Sequence, residues 1–276
     1  MILLLVCSLL LWCTAVFGLW MSGSLLELAQ PWWPGVFLAV QLFGAVQLLL
    51  PVLRMEPEQR SRLFYLFWGA VLALCVWLLN QPNPGGLWEP ILTVLKSGLL
   101  MLAATAVGAV LARYIRRLWE IVPICLAMAL ADFVSWFSGP TAGFTRAIEQ
   151  YYRAPEGPPP LIDMVLVKLA FPDPVGLAPV FGISDWIMVV FFAAVASRHG
   201  VNDNLLGSSG QALAQQGRSG GYLPVSAAAL LVAVLLAQGT GLFLPALPII
   251  ALIVLLWYAG RYLLMRRKSP TQETGR

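Results

Sequence analysis

The chain has 276 residues, 59% of them hydrophobic and only 11% charged, with a mean hydropathy of +0.81. A soluble domain carries about 25% charged residues, so this composition excludes a soluble globular protein: there is too little polar surface to cover one. The net charge of +4 is not a nucleic-acid signal, because the basic residues collect at the ends of apolar runs, where membrane topology places them.

The apolar runs cover about 1–19, 34–53, 63–80, 91–112, 118–137, 179–197, 223–243 and 245–265. Many approach 20 residues, the length of a helix that crosses a bilayer's hydrocarbon. The expected fold is an all-α polytopic membrane protein, a bundle of about eight to nine transmembrane helices. Residues 1–117 form its N-terminal helices and 118–276 the half that carries the chemistry, in one integrated bundle. A barrel is disfavoured, because its strands would alternate polar and apolar residues. The run from Met1 to about Leu19 lacks a basic n-region and a clear small-x-small cleavage site, and reads as a retained span rather than a signal peptide.

Loop charges set the orientation. Arg54, Arg60 and Arg62 flank one loop, Arg113, Arg116 and Arg117 another, and Arg198 and Arg218 a third; the tail carries Arg266, Arg267 and Lys268. The loops at 20–33 and 80–90 have no Lys or Arg. Alternate loops are thus basic, which puts both termini in the cytoplasm. The tail triplet reads as an anchor on lipid headgroups, and Trp32, Trp33 and Trp88 as interface anchors. An integral multi-pass protein is expected, and the compactness of the chain points to the plasma membrane of a prokaryote.

Three charged residues lie inside apolar runs. Lys96 reads as structural, snorkelling or pairing with a carboxylate such as Glu120. Asp132 and Asp185 are the other two, and carboxylates within spans are costly, rare and usually functional. Asp132 lies five residues before Phe137, at the outer end of its run. Asp185 lies six residues after Pro179, a natural first helical position. At about 1.5 Å per residue both fall roughly 8–9 Å below the outer end. Their spans are consecutive and antiparallel, so they are expected to be neighbours. Two carboxylates a few ångströms apart share a proton. One then activates water while the other donates to a carbonyl, with neither metal nor cofactor. The four cysteines (Cys7, Cys13, Cys75, Cys125) read as small apolar packing residues. The single His199 reads as a solvated loop residue, and Gly108 as a point of close helix packing.

Between the two aspartates, residues 138–178 form a long outer loop with Pro155, Pro158, Pro159, Pro160, Pro172 and Pro174. Within it, Met164 to Phe171 is β-capable and too short to span as a helix. A substrate unwound for cleavage could add as a strand to such an edge, which makes Val165 and Val167 candidate substrate contacts. The Gly-, Ser- and Asn-rich 199–221 segment reads as a flexible cytoplasmic linker.

The local sequences are Ala-Met-Ala-Leu-Ala-Asp132-Phe-Val-Ser-Trp, then Phe-Gly-Ile-Ser-Asp185-Trp, then Phe-Leu-Pro245-Ala246-Leu247-Pro248. In that order they resemble the presenilin and signal peptide peptidase family of intramembrane aspartyl proteases, with its Tyr-Asp, Gly-x-Gly-Asp and Pro-Ala-Leu motifs on successive helices. The resemblance covers about residues 118–265. It implies that Asp132 and Asp185 are the catalytic pair, and that Gly182, Ser184, Pro245, Ala246 and Leu247 border the substrate. Ala131 stands where the family has tyrosine, and Ser184 where it has glycine. The implied activity is hydrolysis of peptide bonds within transmembrane or signal-peptide segments, in contact with membrane lipid, with no nucleic acid and with a homo-oligomer permitted. Three other readings fit the aspartates: a proton-coupled transporter or channel, a membrane aspartyl peptidase of the prepilin type, and a silent relative that only binds membrane segments. The Pro-Ala-Leu segment is unexplained by a transporter, and the prepilin type cuts near the opposite face.

Overall fold

The structure is a computed structural model, describing residues 2–25, 30, 32–55, 62–80, 86, 88–154, 159–172, 176–216, 221–240 and 245–268. Arg60, Pro155, Pro158, Pro174, Arg218 and Leu244 lie outside the described residues.

The chain is mostly helical. In order it forms α1 (Ile2–Leu25), α2 (Trp33–Val46), α3 (Leu49–Met55), α4 (Arg62–Leu79), α5 (Trp88–Ala112), α6 (Ile121–Ser138) and α7 (Pro140–Arg153). Strands β1 (Leu166–Ala170) and β2 (Leu177–Gly182) follow, then α8 (Ile183–Arg198), α9 (Gly210–Gln215), α10 (Val225–Thr240) and α11 (Ala246–Lys268). Four stretches are long and apolar enough to cross a membrane: Leu5–Gly23, Trp33–Leu53, Trp88–Ala112 and Leu118–Phe137. Shorter apolar helices occupy Phe67–Leu79, Val225–Thr240 and Ala246–Arg261. Every apolar run of the sequence carries a helix. The second is interrupted by a turn at Gln47 and Leu48, which divides it into α2 and α3.

The centre of the bundle is α8. Val189 to Ala196 are all buried, and Trp186 is wholly so. Its main partner is α5, which runs parallel to it: Thr105 of α5 accepts a hydrogen bond from Trp186 Nε1 at 2.9 Å, and the Ala112 carbonyl accepts one from Arg198 at 2.9 Å. Small residues let these backbones approach. A Cβ built on Gly108 would stand 2.5 Å from the Ile187 carbonyl oxygen and 2.8 Å from Val190 Cβ, so Gly108 is a close-packing point. Gly98, one face further along α5, similarly admits Leu9 and Cys13 of α1.

Two sequence expectations change here. The 138–178 segment is not simply a loop, because its polar first half forms α7. Phe144, Ile148 and Tyr152 recur at helical spacing among Arg146, Glu149 and Arg153, an amphipathic pattern. The 199–221 segment is no flexible linker over its described residues. Asn204 donates to the carbonyls of Ser208 and Gly221 and accepts from the amides of Leu206 and Leu223, and α9 packs against α3. A side-chain amide with donors and an acceptor gives this polar stretch the partners that a regular ladder would otherwise supply.

Candidate active site

The β-hairpin is antiparallel, with Leu166 opposite Gly182 and Ala170 opposite Leu177, and with an irregularity between Val167 and Lys168. Pro179 lies in β2, so it does not start α8. The helix begins at Ile183, and Asp185 sits in its first turn rather than two turns deep. Its position follows from local chemistry. Gly182 caps the helix in extended conformation, and Asp185 Oδ2 accepts the Gly182 amide at 2.9 Å, as a third-position carboxylate does in a capping box. One Asp185 oxygen is thereby fixed. A Cβ on Gly182 would lie 3.3 Å from Ser184 Oγ and 3.6 Å from Asp185 Oδ2, so the glycine keeps this corner open. Ser184 is exposed and Asp185 partly buried.

Asp132 lies two-thirds of the way along α6, partly buried. Its Oδ2 accepts the Leu247 amide at 3.3 Å. Leu247 is the second residue of α11, so this is one of the helix's orphan N-terminal amides. Pro248, next in sequence, has no amide to satisfy. Pro245, Ala246 and Leu247 therefore lie beside Asp132, and Asp132 is near enough for its charge to act on Asp185. The Pro-Ala-Leu segment thus meets the first aspartate, and its helix also packs against α8, which carries the second. The route differs from the expected one: α11 packs against both α6 and α8, whereas α6 and α8 form no packed pair among the described residues. The chain between them makes α7 and the hairpin, and this leaves room for α11 to wedge in.

The hairpin corrects the substrate contacts. Val167 is fully buried, at 0% exposure, so it faces the core and not a ligand; Val165 is exposed but lies in the 3-10 turn before β1. The free edge of β1 is already occupied by side chains. Gln41 of α2 accepts the Ala170 amide at 2.8 Å and donates to the Ala170 carbonyl at 2.8 Å, and Ser97 of α5 accepts the Lys168 amide at 3.0 Å. No third strand lies beside β2 among the described residues, so the open edge belongs to the strand that leads directly into Asp185.

An ionic cluster holds the hairpin from the other side. Asp163, 3% exposed, receives Lys168 Nζ at 2.7 Å and Tyr152 OH at 2.9 Å. Lys96 donates to the Asp163 carbonyl at 3.4 Å and to Asn80 Oδ1. Lys96 is thus structural but unconnected to Glu120, whose carboxylate accepts the Arg116 amide at the far end of α5. Gln41, Ser97, Asp163 and Tyr152 escape a sequence reading that looks for catalytic types. The available signal for Gln41 and Ser97 is a polar side chain in the middle of an apolar run. Among the described residues no three His, Cys, Asp or Glu side chains come together in a group able to hold a metal ion.

No family model matches the chain, and no curated protein or solved structure matches it either.

Proposed function

We propose that this protein is an intramembrane aspartyl endopeptidase that hydrolyses peptide bonds within transmembrane or signal-peptide segments. The observation that carries the reading is the Leu247 amide on Asp132 Oδ2, which draws the Pro-Ala-Leu segment to one aspartate, on a helix that also packs against α8, whose first turn holds the other. In the proposed form the bundle is presenilin-like and crosses a prokaryotic plasma membrane about eight times, with both termini in the cytoplasm. The chemistry follows from the oxygens left over. Each aspartate commits one oxygen to a backbone amide, Asp185 to Gly182 and Asp132 to Leu247. The remaining two are available to a water and a scissile carbonyl. One carboxylate removes a proton from water as it attacks. The other, protonated, donates to the carbonyl oxygen. Collapse of the tetrahedral diol breaks the C–N bond, and the proton taken from water passes to the leaving amine. The substrate adds to the open edge of β2 as a strand, which presents its carbonyls just ahead of Asp185.

The same hydrogen bonds also favour a second reading, a silent relative, since each aspartate satisfies a helix end. Asp132→Asn and Asp185→Asn separate the two. Asparagine keeps an acceptor oxygen in the same place, so both variants retain the caps and the fold in either case. Detergent-purified protein is incubated with a generic transmembrane peptide. Cleavage by the wild type that both variants lose supports the protease. Intact peptide with well-folded wild type, across several substrates, leaves the silent relative.

A further inference from the structure

A further buried carboxylate faces α8 beside Phe192, seven residues and about 11 Å along the helix from Asp185. Asp203 is 6% exposed and lies between α8 and α10, outside both helices. Its partner is Tyr222 OH, at 3.2 Å from one oxygen and 3.5 Å from the other. Among the described residues it has no ion pair. The elements around it present few titratable groups: Tyr222 precedes α10, Tyr258 comes from α11, α8 contributes Phe192, and α10 contributes Val225 and Ser226. Ser226 is committed to the Val189 carbonyl at 2.9 Å. Arg261 does not reach the carboxylate but stacks over the Trp257 ring, 5.0 Å from its centroid. A buried carboxylate without a countercharge takes up a proton rather than remain ionised.

Asp203 borders a cavity of about 10 Å³, which Trp257 and Tyr258 also line. That volume is about the minimum for one water molecule. Trp257 Nε1 is buried and finds no hydrogen-bond acceptor among the described residues. An N–H without an acceptor and a carboxylate without a cation, on one cavity of water size, are complementary through a water that accepts from the indole and donates to the carboxylate.

We propose that Asp203 is a proton-binding site, linked through one buried water to Trp257, which fastens α11 to the segment between α8 and α10. The helix fastened there is the one that begins with Ala246 and Leu247 against Asp132, so the site lies about 11 residues along the same rigid rod from the candidate active site. Burial, opposed by the hydrogen bonds from its own backbone and Tyr222, pushes the Asp203 carboxyl up to about 7 from its ordinary 3.8. The fold therefore favours the protonated form. Its contribution to stability is complete below about 3.8 and is lost as pH rises through about 7. The proposal concerns the fold and does not depend on proteolysis.

The test is thermal unfolding of the full chain in detergent between pH 5.5 and pH 8, for the wild type, Asp203→Asn and Trp257→Phe. The wild type is expected to lose roughly 4 °C or more on going to pH 8, and Asp203→Asn to lose this difference. Trp257→Phe removes the donor that holds the water against the carboxylate, and should move the midpoint of the transition to higher pH. A pH dependence that persists in Asp203→Asn overturns the proton site. An unmoved midpoint in Trp257→Phe overturns the water link. Should Asp203→Asn fail to fold, Tyr222→Phe, which removes the direct donor, must also move the midpoint upward; an unchanged midpoint there overturns the proton site as well.

Discussion

Gln41→Leu is the sharpest test of how the hairpin is held. Gln41 is 2% exposed and makes three hydrogen bonds, two to Ala170 and one to the Phe37 carbonyl at 2.9 Å. Ala170 is wholly buried, so leucine leaves its amide and carbonyl unpaired away from water. Each such group costs about 1–3 kcal/mol, or about 2–6 kcal/mol for the two. The leucine side chain returns roughly 1–2 kcal/mol as extra apolar burial. The net loss is about 2–3 kcal/mol at the middle of these ranges, concentrated on β1. At about 2–4 °C per kcal/mol for a chain of this order, the melting temperature in detergent should fall by several degrees. Hydrogen exchange at the Ala170 amide should accelerate more than exchange at α5 or α8. On the protease reading, cleavage of a transmembrane peptide should also fall, because β2 and Asp185 inherit the position of β1. A variant with the wild-type melting temperature and an equally protected Ala170 amide would refute the clamp.

Gly108→Ala puts a methyl group against the Ile187 carbonyl and Val190, backbone and branched side chain that cannot yield, and should cost about 1–3 kcal/mol of unfolding stability. Gly143→Ala, with nothing within 4 Å of its Cβ in α7, should be neutral or stabilising by up to about 1 kcal/mol; equal effects of the two on denaturation would refute the close α5–α8 packing. Asp163→Asn removes the charge that Lys168 and Tyr152 meet and should lower stability by about 1–3 kcal/mol, discounted from a fully buried pair because Lys168 reaches water. An Asp163→Asn and Lys168→Met double-mutant cycle with no coupling energy would refute that interaction. Val180→Cys on β2 should cross-link to a transmembrane peptide carrying a cysteine; absence of any adduct along the whole peptide would remove β2 as the docking edge.

The membrane character and the positions of most helices were legible in the residues. Helices form where apolar runs satisfy their own backbone polar groups, a local property. The order Asp132, Asp185, Pro245-Ala-Leu247 was legible for the same reason, since each motif is contiguous. A strand within 164–171 was also foreseeable from its β-branched content, and Leu166–Ala170 forms it. Amphipathic spacing in 144–152 was present but masked by the prolines that follow it.

Sequence alone left undecided which edge of that strand is free, because the answer depends on Gln41 and Ser97, 129 and 71 residues away from the amides they bind. Likewise, consecutive spans suggested that α6 and α8 would touch, and only tertiary packing inserted α11 between them. Pro179 offered an apparent helix start, yet pairing with β1 drew it into a strand and moved Asp185 to the first turn. The buried state of Asp203 was equally invisible, since a polar, glycine-rich segment looks solvated until Asn204 and Tyr222 fold it back on the bundle. Local periodicity fixes where backbone hydrogen bonds close within a segment; partners for the polar groups left over are chosen across the whole chain.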